Sequence, residues 1–346
     1  MRNFNYLTIK DMKWELEILS MIAKIYEYKG KQELYLKQKP MMLEKLVEIS
    51  KIQSTQASNQ IEGIITTDTR IKQLVNHKTT PRNRNEEEIA GYRDVLNTIH
   101  ESHEYIPIRS NYILQLHKNL YSYTLESFGG HFKNTQNYIA EVLSDGTKIV
   151  RFQPLAPYET PQAIEAICSS YNEAIEAEIE PLLLIPFFIS DFLCIHPFND
   201  GNGRMSRLLT ALLLYRSGFE VGKYISMENK IEKTKVAYYN ALQDIEQGWH
   251  DGQNDCTPFI VYFLGVLLSC YRDFEDRLDL IEEKMPAIEM VRMAINDHLG
   301  KFTKSELLET LPTLKRATVE KALKQLVEEG FIERHGGGRS TFYSIK

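Results

Sequence analysis

Near its middle the chain reads His196-Pro197-Phe198-Asn199-Asp200-Gly201-Asn202-Gly203-Arg204-Met205-Ser206-Arg207. An apolar helix predicted over 181–195 ends just before this stretch, and a second apolar helix is predicted to begin near Arg204. The polar turn between them therefore presents backbone N–H groups at a helix N-terminus. Such a turn is a ready-made anion site, and its glycines let a ligand approach the backbone closely.

The side chains of this turn indicate transfer of a phosphate-containing group. Arg204 and Arg207 are three residues apart, so they share a helix face and can contact one set of phosphate oxygens. Asp200 offers a hard carboxylate suited to Mg²⁺. His196 is the one group in the turn that exchanges a proton near neutral pH, so it is the candidate base. Together these residues predict phosphoryl or nucleotidyl transfer.

Length and composition set the outer limits of the fold. A chain of 346 residues is long enough for about two or three domains. Apolar residues make up 43% and charged residues 25%, which excludes a largely disordered or disulfide-scaffold protein. The net charge of −6 does not favour a protein that coats nucleic acid. Four separated cysteines without a C-x-x-C pair suggest neither a zinc site nor a disulfide framework.

The sequence also predicts no membrane span. The longest apolar runs, 182–195 and 259–271, are shorter than the roughly 20 residues that a spanning helix needs. The first residues lack the apolar run of a secretory signal, so we expect a cytoplasmic protein without membrane partners.

Most of the chain carries the apolar periodicity of helices. The clearest predicted helices cover 11–28, 86–100, 161–177, 181–195, 205–215 and 258–281. Between residues 139 and 152, two short β-prone runs flank Asp145-Gly146, which is a strong hairpin signal. The fold class is therefore mainly α with a β-hairpin before the central turn.

The last 60 or so residues have a different character. After Pro286, helices are predicted over about 287–299, from the capping box Thr303-Lys304-Ser305-Glu306 up to Pro312, and over 313–329. The end of the chain reads as a two-stranded ribbon with a glycine-rich tip. From residue 286 onward ten Lys and Arg stand against eight Asp and Glu, so this part is slightly basic. Three helices and a ribbon resemble a winged helix-turn-helix domain.

The central stretch matches the Fic family signature, H-P-F-x-D/E-G-N-G-R-x-x-R, at every specified position, and the chain is identified as resembling a Fic protein of the AMP-transferase type. Such proteins move AMP from ATP onto a protein hydroxyl of Ser, Thr or Tyr. The resemblance implies that His196 deprotonates that hydroxyl, that Asp200 binds Mg²⁺, and that Arg207 holds the γ phosphate. It also implies a set of residues that hold the α and β phosphates, namely Gly201, Asn202, Gly203 and Arg204.

The resemblance extends beyond the signature. His117 to Tyr121 fits the helix before the active site, and Gly129 to Lys133 resembles the G-x-x-R element before the flap, with Lys133 in place of the usual arginine. The hairpin over 139–152 is similar to the flap that aligns the target backbone by β-augmentation. Tyr238 and Tyr239 match a tyrosine pair near the adenine pocket, although plain core packing explains them as well.

A second motif resembles the family's inhibitory pattern, S/T-x-x-x-E-G/N. Ser58 and Glu62 are four residues apart, hence on one helix face, and Gly63 follows. The resemblance implies that the Glu62 carboxylate pairs with Arg207 and occupies the guanidinium that should hold the γ phosphate.

Several alternatives stay open from the sequence. The predicted domains are an N-terminal helical region with the inhibitory helix over 1–85, a Fic catalytic domain over 86–284, and a winged helix-turn-helix domain over 285–346. The last domain could bind DNA or a protein, and a homodimer is a further candidate assembly.

The main prediction is an autoinhibited protein adenylyltransferase. The alternatives are a DNA-binding regulator whose Fic domain self-modifies or senses nucleotide, and an enzyme that removes AMP from modified proteins. The basic side chains that could contact DNA are Lys315, Arg316, Lys321, Lys324, Arg334 and Arg339, together with Thr318.

Overall fold

The computed structural model describes residues 2–38, 40–142, 147–284, 286–296, 301–311, 314–337 and 341–346. The chain divides into two compact units, Met1–Glu275 and Asp276–Lys346. None of the described helices combines the length and the apolar composition that crossing a bilayer requires.

The first unit is built from helices and one hairpin. Its helices are α1 (Leu16–Gln38), α2 (Pro40–Ile61), α3 (Asp68–Asn76), α4 (Arg84–Ser102), α5 (Ser110–Leu120), α6 (Thr160–Glu176), α7 (Pro181–Ile195), α8 (Asn202–Arg216), α9 (Met227–Lys233), α10 (Lys235–Glu246) and α11 (Thr257–Lys284), the last of which runs past the end of the unit. Short 3₁₀ helices cover Tyr6–Asp11, His103–Tyr105, Val221–Lys223 and Trp249–Asp251.

Two adjacent helices, α7 and α8, form the centre of this unit. Almost every residue of α7 is buried, and Pro181 starts it because proline fits the first turn of a helix without losing a hydrogen bond. α7 packs against α6 on one side and α8 on the other, and α8 packs against α4. Helix α2 packs against α4 and α9, so the candidate inhibitory motif at its end is held by the same core.

The hairpin consists of β1 (Ile139–Val142) and β2 (Lys148–Phe152), paired antiparallel with Ile139 opposite Phe152. A bulge interrupts the register between Ile139 and Ala140. The hairpin predicted over 139–152 is therefore present, while its predicted Asp145-Gly146 turn lies outside the described residues.

Helix limits differ from the sequence predictions in a few places. The helix predicted over 11–28 begins later, at Leu16, because Tyr6–Asp11 forms a separate 3₁₀ turn capped by the side chain of Asn5. The helix predicted from residue 205 begins at Asn202, directly after Gly201 adopts the left-handed conformation. Both shifts come from local capping, which apolar periodicity does not detect.

The second unit contains α12 (Ala287–Asn296), α13 (Lys304–Thr310), α14 (Arg316–Glu328), β3 (Ile332–His335) and β4 (Phe342–Ile345). The predicted capping box is formed: Thr303 accepts from the backbone of Glu306, and the Glu306 carboxylate accepts from the backbone of Thr303. Phe302 forms an additional β-bridge with Tyr343, which the sequence did not indicate. Residues 297–300, Pro312, Thr313 and the ribbon tip with Arg339 lie outside the described part, and the winged-helix assignment stays a prediction.

Candidate active site

The stretch from His196 to Arg207 lines a cavity of about 200 Å³ in the first unit. Its lining includes polar groups of the turn between α7 and α8. It also includes aromatic and aliphatic side chains and two residues of the hairpin. The lining residues are Glu62, Ile139, Arg151, Leu193, Cys194, His196, Asn199, Asp200, Gly201, Asn202, Gly203, Arg204, Arg207, Tyr238, Tyr239, Leu242, Ile245 and Glu246.

The turn begins with an unusual backbone conformation. His196 closes α7 in the left-handed region, with φ 52° and ψ 63°, where a non-glycine residue is uncommon. Its N–H still donates to the Phe192 carbonyl at 3.0 Å, so the last turn of α7 keeps its helical hydrogen bond. Asn202 braces the rest of the turn, because its side-chain oxygen accepts from Phe198 N at 2.9 Å and its amide donates back to the Phe198 carbonyl at 2.8 Å.

The imidazole of His196 is oriented for proton transfer. Nδ1 lies 3.2 Å from the carbonyl oxygen of Leu193. Because a carbonyl only accepts hydrogen bonds, Nδ1 carries the proton in the neutral ring and Nε2 keeps a free lone pair. Burial in the cavity wall lowers the pKa of His196 to about 4, so the ring is neutral at physiological pH. The geometry therefore offers a base in the wall of the cavity.

The N-terminus of α8 supplies the candidate anion site. The backbone N–H groups of its first turn, Asn202 to Arg204, have no acceptors within the helix. Gly203 has no side chain to cover the N-terminus of α8. A Cβ atom at this position would lie 2.3 Å from Oε1 of Glu62. Gly201 adopts φ 83°, and a Cβ atom there would lie 2.9 Å from the Tyr121 hydroxyl. A side chain at position 203 would therefore displace the Glu62 carboxylate, and one at position 201 would crowd Tyr121 and strain the backbone.

Asp200 lies at the mouth of this site with its side chain about half exposed. One carboxylate oxygen accepts from the N–H of Gly201 at 2.7 Å, and the other lies 3.7 Å from the Arg204 guanidinium. Among the described residues no three His, Cys, Asp or Glu side chains gather into a metal-binding group. A Mg²⁺ ion held largely by phosphates and water needs only one or two protein carboxylates, so Asp200 fits that ion as a single ligand.

Arg204 was predicted to contact phosphate oxygens, but in the structure its guanidinium pairs with other residues of the protein. Its guanidinium is almost fully buried, with Nη1 2.7 Å from Oε2 of Glu88 and Nη2 donating to the Tyr121 hydroxyl at 2.7 Å. Part of its hydrogen-bonding capacity is thus used to fix α8 to α4 and to the end of α5. Contact of Arg204 with phosphates stays a prediction.

Arg207 meets the candidate inhibitory motif directly. Its Nε donates to the Ser58 hydroxyl at 2.8 Å, and its Nη2 donates to the Ser58 carbonyl at 2.9 Å and to Oε1 of Glu62 at 2.8 Å. Ser58 is completely buried, whereas the Glu62 side chain is about one-third exposed. The sequence pointed to the carboxylate alone, while the structure adds two acceptors from Ser58.

Gly63 explains how Glu62 is aimed at this arginine. It follows α2 in the left-handed conformation, with φ 78°, and the N–H of Ile64 donates to the Asn59 carbonyl at 3.0 Å. This is the usual way in which a glycine ends a helix. The chain leaves α2 immediately after Glu62, which keeps this carboxylate at the cavity.

Tyr238 and Tyr239 line the cavity, with their ring centres 5.5 Å apart. Tyr238 is buried, and this burial raises the pKa of its hydroxyl. Leu242 and Ile245 line the same cavity. Aromatic and aliphatic side chains of this kind can pack against a nucleotide base.

Sequence reasoning missed two sets of residues around the cavity. Glu88 pairs with Arg204 but belongs to an ordinary amphipathic helix, so no sequence signal marked it. Arg151 of β2 forms a double hydrogen bond with Glu246 of α10, at 2.7 and 2.8 Å, which ties the hairpin to the cavity wall. Burial raises the pKa of Glu246, while Arg151 opposes that shift.

The residues of this site are similar to those of one known family. Residues 107–214 match the model of the Fic/DOC family. The protein adenylyltransferase fic-1 of Caenorhabditis elegans is 27% identical over 161 residues, which is 46% of this chain and 27% of that protein. A probable protein adenylyltransferase of Aquifex aeolicus is 31% identical over 98 residues, 28% of each chain. The chain thus spans about a quarter of the length of these curated relatives.

Solved structures support the same fold. A Fic family protein from Desulfovibrio desulfuricans G20 superimposes with a TM-score of 0.64 at 20% identity, covering 97% of both chains. Residues 134–508 of Fic-1 from C. elegans give a TM-score of 0.62 at 18% identity, covering 76% of this chain and 73% of that one. At these identities the likeness concerns the fold.

Proposed function

Residues 107–214 match the model of the Fic/DOC family, and from that match we propose that the chain is a protein adenylyltransferase. In the proposed reaction a Ser, Thr or Tyr hydroxyl of a protein attacks the α phosphorus of ATP. The new O–P bond forms as the bond between the α phosphorus and its bridging oxygen breaks, and pyrophosphate leaves. The proton of the hydroxyl passes to Nε2 of His196.

One observation carries this proposal. A neutral histidine with a free Nε2 lines the same cavity as the open N-terminus of α8. The first group can accept the proton of a hydroxyl, and the second can bind the phosphates that receive it. In this assignment the N–H groups of Asn202 and Gly203 contact the α and β phosphates, Arg204 adds charge beside them, and Gly201 lets the phosphates approach.

The remaining residues orient the nucleotide. Tyr238 and Tyr239 pack against the adenine base, and Arg207 binds the γ phosphate. Asp200 would hold Mg²⁺ together with the phosphates, and the ion would neutralise their charge. The hairpin lies beside the cavity and would align the target chain by strand pairing.

We further propose that the Ser58–Gly63 motif inhibits transfer. Arg207 already donates to Ser58 and Glu62, so a γ phosphate must compete with three acceptors for one guanidinium. A charge-assisted contact of this kind is strong and directional. ATP that cannot displace Glu62 would bind with its α phosphorus poorly aligned for in-line attack.

The decisive experiment uses the Glu62→Gly protein with ATP and Mg²⁺, with and without cell lysate. Intact-mass and peptide spectra should show AMP-sized additions, at least about tenfold more than in the parent, because Arg207 loses its carboxylate partner and can turn to the γ phosphate. The additions should vanish in the Glu62→Gly, His196→Ala protein. Glu44→Gly, a change at an exposed glutamate on the same helix, is the matched control and should behave as the parent. Equal labelling in the presence and absence of His196 would reject the assignment of the base.

The second unit is proposed as the module that selects a protein partner. Some of its basic side chains are paired with carboxylates: Glu320 pairs with Lys304 at 2.6 Å and Arg316 at 3.3 Å, and Lys324 lies 3.8 Å from Glu328. This pairing weakens the case for a DNA-binding regulator. Binding of duplex DNA that falls steeply between 50 and 200 mM salt, on the order of 10³-fold or more, would instead support that alternative.

A further inference from the structure

The turn that carries His196 is held from one side by a short segment before the hairpin. Four consecutive carbonyl oxygens, those of Ile195, His196, Pro197 and Phe198, accept hydrogen bonds from this segment. The four bonds are Lys133 Nζ to Ile195 at 3.0 Å, Asn137 Nδ2 to His196 at 3.1 Å, Lys133 N to Pro197 at 2.8 Å and Asn137 Nδ2 to Phe198 at 3.0 Å.

The two donors also support each other. Lys133 Nζ donates to Oδ1 of Asn137 at 2.9 Å, which orients the amide so that its nitrogen faces the turn. Lys133 is almost completely buried, and an ammonium group so placed must use its protons in hydrogen bonds. These contacts fix the carbonyls of the turn.

This arrangement matters because His196 has a backbone conformation that it would not adopt freely. A non-glycine residue in the left-handed region persists when surrounding contacts determine its geometry. The hydrogen bond from Asn137 to the His196 carbonyl fixes the peptide after this residue, while the Lys133 bond to the Ile195 carbonyl fixes the peptide before it. The imidazole direction depends on both peptides.

We propose that Lys133 and Asn137 are positioning residues for AMP transfer, which hold the His196 turn so that Nε2 of the imidazole faces the reacting hydroxyl. The inference rests on the proposed function, and it adds two residues outside the His196–Arg207 stretch. Neither residue touches the reacting atoms.

The ammonium of Lys133 gives this contact a pH-dependent signature. Burial lowers the pKa of Lys133 to about 8, and Glu159 at the start of α6 partly opposes that shift. His196 is the other titratable group that interacts with Lys133, and it is neutral in this range. As the pH rises through about 8, Lys133 loses its charge and its bonds to Ile195 and Asn137 lose their charge assistance. An arginine at this position keeps its charge throughout.

Three variants separate the contacts. Lys133→Met removes the ammonium, Lys133→Arg keeps a charged donor, and Asn137→Asp keeps the acceptor for Lys133 but removes both N–H donors to the turn. Lys72→Met, at an exposed lysine on α3, is the matched control. All are placed in the Glu62→Gly protein, and thermal unfolding verifies that each folds.

The first readout is independent of activity. Two-bond ¹H–¹⁵N correlation spectra of the ring nitrogens, with His196 assigned through the His196→Ala protein, should show a single tautomer protonated at Nδ1 in the Lys72→Met and Lys133→Arg proteins. The Lys133→Met and Asn137→Asp proteins should show a mixture of tautomers. An unchanged His196 spectrum in both of these proteins would overturn the proposal, even if no variant transfers AMP.

The second readout is the rate of labelling. We expect Lys133→Met and Asn137→Asp to lower kcat about 10- to 100-fold with less than about a threefold change in KM for ATP, because misplacement of the base affects the chemical step. Lys133→Arg should stay within about threefold of its parent at pH 7 and should lose the fall in rate that the parent shows near pH 8. A Lys133→Met protein as fast as Lys72→Met would overturn the proposal. Absence of labelling in all proteins, with altered His196 spectra, would instead reject the transfer activity and leave the positioning role supported.

Discussion

At the scale of single residues, the protonation state of His196 follows from its surroundings. Withdrawal from water disfavours the charged imidazolium and lowers the pKa to about 4, while the Leu193 carbonyl, which accepts from Nδ1, opposes that shift. The neutral form is therefore present at every pH well above 4. This state is the one a base needs before the hydroxyl arrives.

We accordingly expect the kcat/KM of Glu62→Gly labelling to change less than about twofold between pH 7.5 and pH 6. A histidine with an ordinary pKa near 6.5 would lose roughly fourfold over that interval, because most of it would be protonated at pH 6. Initial rates at limiting ATP in constant ionic strength measure this profile. An acid limb centred on pH 6.5 would contradict the expectation, and the His196→Ala background supplies the blank.

Ser58 offers a graded test of the inhibitory contact. Ser58→Ala removes the acceptor for Nε of Arg207, whereas the Ser58 carbonyl and Glu62 still hold Nη2. A hydrogen bond to a charged group contributes about 1.5 to 3 kcal/mol, so the arginine is loosened but not released. Labelling should rise about 2- to 10-fold above the parent and stay below Glu62→Gly.

The matched control for this change is Ser169→Ala, an exposed serine on α6 that is expected to leave labelling unchanged. If Ser58→Ala labels as strongly as Glu62→Gly, the hydroxyl rather than the carboxylate is the main restraint on Arg207. If it labels no more than the parent, the Ser58 hydroxyl takes no part in the inhibition.

At the scale of elements, the hairpin is anchored to the cavity wall at the C-terminal end of β2. Arg151 pairs with Glu246, Phe152 stacks on His250 with ring centres 5.2 Å apart, and the His250 ring contacts the Gln153 carbonyl at 2.9 Å. These three contacts join the hairpin and the residue after it to the end of α10 and to the 3₁₀ helix Trp249–Asp251. A target chain that pairs with the hairpin would thereby be held in a fixed relation to Tyr238 and Tyr239.

Exchange of the two charges tests this anchor. Arg151→Glu and Glu246→Arg alone should each lower the Tm by several degrees, since each leaves a largely buried charge beside another of its own sign. The double variant restores opposite charges and should recover at least half of the lost Tm. Thermal unfolding of all four proteins gives the coupling energy, and simple additivity of the two single effects would show that the pair does not anchor the hairpin.

Much of this architecture is readable in the sequence, for reasons that differ between elements. The helix over 181–195 was predicted with its observed limits because Pro181 and the end of an apolar run mark them. Helix periodicity placed Ser58 and Glu62 on one face, and the resemblance to the family's inhibitory pattern implied the contact of Glu62 with Arg207. Asn137 and Glu88 were not predictable, since their roles depend on segments that meet only after folding. An isolated asparagine in a loop carries no periodic signal.

At the scale of the whole molecule, all candidate site residues belong to the first unit. Its N-terminal segment contributes to the core: the Tyr6 hydroxyl donates to Asp191 of α7 at 2.8 Å, and the Trp249 indole donates to the same carboxylate at 2.7 Å. Burial raises the pKa of Asp191, and these donors oppose that effect. The helix that ends at His196 is therefore fixed from the beginning of the chain as well.

A protein truncated after Lys284 should consequently still catalyse AMP transfer. We expect the shortened Glu62→Gly protein to label itself within about threefold of the full chain, because the residues that line the cavity are retained. Labelling of lysate proteins should fall further if the second unit selects the partner. Loss of self-labelling by a shortened protein that still unfolds cooperatively would show that residues 285–346 are needed for the reaction.

Gly203 has a consequence for how such chains can diverge. Any side chain at this position would collide with the Glu62 carboxylate, whose Oε1 lies only 2.3 Å from the place of a Cβ atom. A larger residue at 203 can be accommodated only if Glu62 swings away or is itself replaced by something shorter. Positions 62 and 203 should therefore covary among descendants of a common ancestor: a side chain at 203 should be rarer where the acidic residue is kept than in a lineage that has lost the glutamate.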